Sequence, residues 1–119
     1  MRKIIFYEME NGIIPVKDFF DSLSDKVLQK ISWVLKLVTE IEFIPKNYFK
    51  KLISTNDIWE CRIIFGGNIY RILCFFQDDN IVVLTNGFIK KTQKTPKNEI
   101  ELAEKYKNDY IRRIKNGYG

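Results

Sequence analysis

From Ile58 to Thr85 the chain is a run of β-branched and aromatic residues broken by short polar stretches. Ile58 to Phe65, Ile69 to Phe76 and Ile81 to Thr85 are separated by Gly66-Gly67-Asn68 and Gln77-Asp78-Asp79-Asn80. That pattern predicts an antiparallel three-stranded meander. Upstream, Lys3 to Glu8 reads as a first strand and Asn11-Gly12 as a turn. Pro15 suits the first position of a short helix, Val16 to Leu23, whose Val16, Phe19, Phe20 and Leu23 share one face. Val27, Leu28, Ile31, Val34, Leu35, Val38 and Ile41 then recur at three- and four-residue spacing. They predict a second helix with Ser24 as its N-cap and Asp25 well placed for the macrodipole. The two helices should form a hairpin covering one side of the sheet.

Pro45 ends this helical region, and residues 46–57 read as a connector holding Lys50-Lys51-Leu52 and the polar turn Ser54-Thr55-Asn56-Asp57. The last helix is expected to open with Thr95 as N-cap and Pro96 at its first position. Its packing stripe is Ile100, Ala103, Tyr106, Tyr110 and Ile114, and Gly117 lies just past its end. The predicted fold is α+β in one domain spanning residues 1–119: a small, mostly antiparallel sheet, an N-terminal helical hairpin and a C-terminal helix.

Composition narrows the chemistry. Hydrophobic residues make up 45% of the 119 positions, enough for a folded core. No apolar run approaches the roughly 18 residues of a membrane span. Met1 to Glu8 lacks the apolar core and cleavage site of a signal peptide. The two cysteines show no metal-ligand spacing, so the expected setting is the reducing cytoplasm. The net charge of +5 is uneven: residues 1–44 hold six basic and seven acidic side chains, whereas residues 90–119 hold nine and four. That asymmetry suits a polyanionic partner. The absence of histidine removes the commonest general acid–base group, the commonest metal ligand and every Ser-His-Asp or Cys-His scheme. Neither a metal nor a cofactor is expected.

Two arginines stand inside the apolar strands. Alternation sets Glu60 and Arg62 on one face of their strand and Cys61 on the other, and sets Arg71 opposite in sense to Cys74. A two-residue hairpin loop, either Gly66-Gly67 or Gly67-Asn68, brings Glu60, Arg62 and Arg71 to one face and both cysteines to the other. With Gly66-Gly67 the two arginines are directly opposed; with Gly67-Asn68 the two cysteines are. A three-residue loop would turn Arg71 against the helices, where burial of its charge would be costly. The expectation is therefore an open polar face. Phe88, Lys90, Lys91, Thr92 and Lys94 would lie at its rim, with Lys50 and Lys51 as further RNA contacts. Clustered cations beside an aromatic ring are how single-stranded RNA is held.

At these residues the chain resembles a known family. WECRIIFGGNIYRILCFF followed by GFIKKTQKTPKNEIELAEKY is similar to the RelE/HigB superfamily of bacterial toxins, and within it to the phage-derived Gp49-like HigB group. The resemblance covers nearly the whole chain. It implies a RelE-like fold and a ribosome-dependent mRNA interferase held inactive by a cognate antitoxin, expected to be a helix-turn-helix protein. It also implies that Arg71 contacts the scissile phosphate, that Glu60 and Arg62 match basic positions on the preceding strand, and that Lys90 or Lys91 matches the basic residue after the last strand. RelE itself has lysine where this chain has Glu60, so Glu60 is either a base or the group that orients Arg62.

The chemistry so implied is metal-independent. A ribose 2′-hydroxyl attacks the adjacent phosphate, leaving a 2′,3′-cyclic phosphate and a free 5′-hydroxyl. Arg62 and Arg71 suit stabilisation of the charged phosphorane, and Lys90, Lys91 or Lys94 suit protonation of the leaving oxygen. Two rivals are a ParE-like toxin acting on gyrase with the same fold, and a non-catalytic RNA-binding module.

Overall fold

The computed structural model describes residues 1–90 and 94–117. Its elements run β1 (Lys3–Phe6), α1 (Pro15–Asp21), α2 (Asp25–Glu40), β2 (Phe49–Lys51), β3 (Trp59–Phe65), β4 (Asn68–Asp78), β5 (Ile81–Lys90) and α3 (Lys97–Lys115). The five strands form one sheet in the order β1-β5-β4-β3-β2. It is mixed: β1 lies parallel to β5 and the other pairings are antiparallel. The N-terminal strand thus lies beside the last one, and α1 and α2 carry the chain across the sheet from β1 at one edge to β2 at the other.

Local chemistry explains most of the boundaries. Pro15 opens α1, and the Ser24 hydroxyl accepts from the Val27 amide to cap α2. Val27, Ile31, Val34 and Val38 are the buried stripe of α2. That helix stops at Glu40, five residues before Pro45. Arg2 closes its C-terminal end by donating to the carbonyls of Val38, Ile41 and Glu42. Two expectations about extent give way to sheet pairing. The connector contains β2, which pairs with β3, and the last strand continues past Thr85 to Lys90 along β4.

The hairpin joining β3 and β4 uses Gly66 and Gly67, whose φ angles of +59° and +81° are the left-handed values a two-residue turn requires. Arg62 is therefore directly opposite Arg71, while Cys61 faces Ile72 and Cys74 faces Trp59. The cysteines are diagonal neighbours, both buried and free. Burial and the adjacent Cys61 push the Cys74 thiol well above its usual range.

Helices cover both faces of the sheet. Against α1 and α2 pack Cys61, Ile63, Tyr70, Ile72, Cys74, Val82 and Leu84. Against α3 pack Ile58, Leu73, Phe75 and Val83, with Ala103 of the helix at the centre. The sheet face expected to be open is thus roofed by α3. The reason lies in the stripe of Ile100, Ala103, Tyr106 and Tyr110: on a face already closed by α1 and α2 it would find no room, so it takes the other.

Candidate active site

The register turns the two faces into an address for every polar side chain. On the α3 face, Lys50, Glu60, Leu73 and Asn86 form one row across the strands. Arg62, Arg71 and Phe88 form the next, and Ile64, Ile69 and Lys90 the one beyond. A bulge follows this pattern at Leu73/Cys74, where Thr85 is the extra residue and its hydroxyl lies 2.9 Å from the Leu73 carbonyl oxygen.

Two guanidiniums directly opposed on adjacent strands repel unless an anion lies beside them. Glu60 supplies one. Its Oε2 lies 3.5 Å from Arg71 Nη1, and the two side chains are 1% and 0% exposed. Thr95 links them: Arg71 Nη1 donates to the Thr95 hydroxyl at 3.1 Å, and that hydroxyl donates to Glu60 Oε2. Glu60 Oε1 is buried without a hydrogen-bond partner among the described residues. Arg62, one row along, is half-buried, with its Nε enclosed.

Side-chain bonds fasten α3 over this group. Asn86 Nδ2 donates to Glu99 Oε1 at 3.0 Å near the helix start. Farther along, Glu104 accepts from the Asn56 amide and Lys107 donates to the Asn56 carbonyl at 2.7 Å. At the far end Tyr7 donates to Asp109 at 2.6 Å. Burial, reinforced by that carboxylate, pushes the Tyr7 hydroxyl up to about 12. The helix is therefore held by β5 at its start, by the turn before β3 at its middle and by the residue after β1 towards its end.

The residues expected at the site divide clearly. Glu60, Arg62 and Arg71 share a face and adjoin, but Glu60 and Arg71 are enclosed, not open to solvent. Lys50 stands in the row of Glu60 and is half-buried; Phe88 stands in the row of Arg71 and packs into the core beneath α3. Lys90 is exposed at the end of β5, and Lys94 is exposed three residues before the helix. Lys51 is not brought in: strand alternation turns it away from Lys50, and it pairs at 2.6 Å with Asp57. Lys91 and Thr92 lie outside the described residues. No group of three metal-ligating side chains occurs among the described residues.

Sequence reasoning misread Thr95. The helix begins at Lys97 with Pro96 as its N-cap residue, and the Thr95 hydroxyl serves Glu60 and Arg71 instead of the helix end. The signal was present, since a residue before proline is driven to extended backbone. Asn86 and Glu99 were missed as well, because their pairing depends on where the long helix lands.

A family model described as Phage derived protein Gp49-like (DUF891) matches residues 18–108. The chain belongs to that family. No curated protein matches it.

Proposed function

With Gp49-like membership as the premise, we propose that the chain is the toxin of a toxin–antitoxin pair and cuts mRNA on the ribosome. The observation that carries this reading is the direct opposition of Arg62 and Arg71 beside Glu60. Two guanidiniums opposed on adjacent strands match the oxygens of one phosphodiester, and the cation nearer solvent is Arg62. Arg62 takes the phosphate first. Arg71 reaches it once the Thr95 hydroxyl is displaced, and Glu60 positions Arg71 throughout. The 2′-hydroxyl attacks phosphorus and loses its proton to water, the bond to the 5′-oxygen breaks, and that oxygen takes a proton from Lys90 or Lys94. The products are a 2′,3′-cyclic phosphate and a 5′-hydroxyl. Positioning and charge stabilisation carry the rate, and no metal is called for.

The partners in this reading are ribosome-bound mRNA and a small antitoxin with a helix-turn-helix fold, whose reading frame would adjoin this one. No helix among the described residues is long and apolar enough to cross a membrane. One observation favours a second reading, a non-catalytic RNA-binding module: Arg71 is closed off from solvent.

The experiment is cleavage of mRNA on translating ribosomes by the parent and by Arg62→Ala. Arg62 is half-buried, so this variant keeps its fold where Arg71→Ala would strand Glu60. Expected is parental cleavage with cyclic-phosphate ends and a roughly 100- to 1,000-fold loss in the variant. Equal rates would overturn the site. Binding without cleavage would favour the RNA-binding module, and gyrase inhibition without cleavage the ParE-like toxin.

A further inference from the structure

A groove of about 580 Å³ lies at the β2 edge of the sheet. Its floor is aromatic: Trp59 stacks on Phe49 at 5.0 Å between ring centroids and meets Phe76 edge-on at 5.3 Å. Phe43 and Ile53 form part of its walls and are 84% and 92% exposed, far more than side chains of that size need be in a folded chain. Lys46 and Lys50 reach it as well. Of the other charged residues at its lining, Lys51 is engaged by Asp57, Arg2 is engaged by three carbonyls, and Glu42 is the one carboxylate among the described residues.

We infer that this groove is the track for the single-stranded RNA flanking the cut, its bases stacking on Phe43 and its backbone following Lys46 and Lys50. The choice of RNA as ligand rests on the proposed function above. Two observations support the placement. Lys50 belongs both to the groove and to the row of Glu60, whereas the floor of Phe49, Trp59 and Phe76 lies on the α1 and α2 face, so a strand leaving the arginines rounds β2, the three-residue edge strand, to enter it. The composition also fits: an exposed ring beside cations is the pattern that holds unpaired bases without reading their sequence. An extended peptide pairing with the β2 edge is the competing occupant, and the excess of cations over carboxylates does not by itself separate an acidic peptide from RNA. The exposed flat ring of Phe43, which suits a base face, favours RNA.

The test is fluorescence anisotropy of a labelled ten-nucleotide 2′-O-methyl RNA, which resists cleavage, titrated with the full chain and with Phe43→Ala and Lys46→Glu. Both positions are exposed, so neither change threatens the fold. Expected is roughly tenfold weaker binding for Phe43→Ala, and a salt slope shallower by about one unit for Lys46→Glu. Unchanged affinity and slope in both variants would overturn the groove, and mRNA cleavage by the parent would then still stand. Conversely, weakened binding in a protein that cleaves nothing would keep the groove and sink the nuclease. A third arm offers an acidic, alternating apolar peptide. Loss of peptide binding with RNA binding intact would overturn the RNA track in favour of strand addition.

Discussion

Under α1 and α2, strands β3 and β4 present Cys61, Ile63, Ile72 and Cys74 to a dry core; under α3 the same two strands, one residue out of step, present Glu60, Arg62 and Arg71. Both faces are covered, yet only one is apolar throughout. On the α1 and α2 face any side chain of suitable volume serves, because dispersion and burial are non-directional. On the α3 face the buried charges hold only while each finds its counterpart, so geometry there is demanding in a way that volume alone is not. A fold that needed only stability would have no reason to bury an arginine and a glutamate where leucines would pack. The contrast fits the proposal that the α3 face is kept for chemistry.

The largest effect should come from breaking one half of the buried pair. Glu60→Ala leaves Arg71 enclosed without its carboxylate and should destabilise the fold by about 3–5 kcal/mol, read from urea denaturation. Replacing both, as Glu60→Met with Arg71→Met, should bring stability back to within about 1 kcal/mol of the parent or above it, while cleavage stays lost. A double variant as unstable as the single one would show that the pair is structural and that the proposed contrast between the faces is wrong.

A smaller effect is expected on the apolar face. Gly87 lies in β5 against Phe19, and a β-carbon there would fall 2.3 Å from Phe19 Cδ2. Gly87→Ala should therefore cost about 1–3 kcal/mol by overpacking. A melting temperature equal to the parent's would mean that the ring swings aside and that this face is looser than its burial suggests.

Smallest is the loss of the hydroxyl between the charges. Thr95→Val keeps the shape and removes the donor to Glu60 and the acceptor from Arg71. It should cost about 1.5 kcal/mol, the low end for a bond to a charged group. Thr95→Ser should remain near the parent. If valine and serine behaved alike in denaturation, the linkage would not be holding α3 down.

Much of this was legible from residue order. Ser24 and Pro15 act on their own neighbours within a turn, so their positions announce the helix starts. The period-two alternation likewise placed Glu60 and Arg62 on one face of their strand, since alternation is a property of an extended chain alone, and a two-residue loop brought Arg71 to the same face. The turn was narrowed to two registers, and left-handed Gly66 and Gly67 settled it as the one that sets arginine opposite arginine.

What the sequence left undecided were relations between segments far apart in the chain. Strand β2 is three residues long and has no pattern of its own; it exists because β3 is there to pair with it. Whether the arginine face would be open or roofed depended on which side the stripe of α3 would find free. That is decided by the crossover of α1 and α2, some eighty residues earlier, and not by any residue of the helix. Thr95 shows the same division at a single atom. Its place before Pro96 fixed an extended backbone, but only the packing of α3 on the sheet set its hydroxyl between Glu60 and Arg71, because a side chain bonds to whatever the fold brings within about 3 Å.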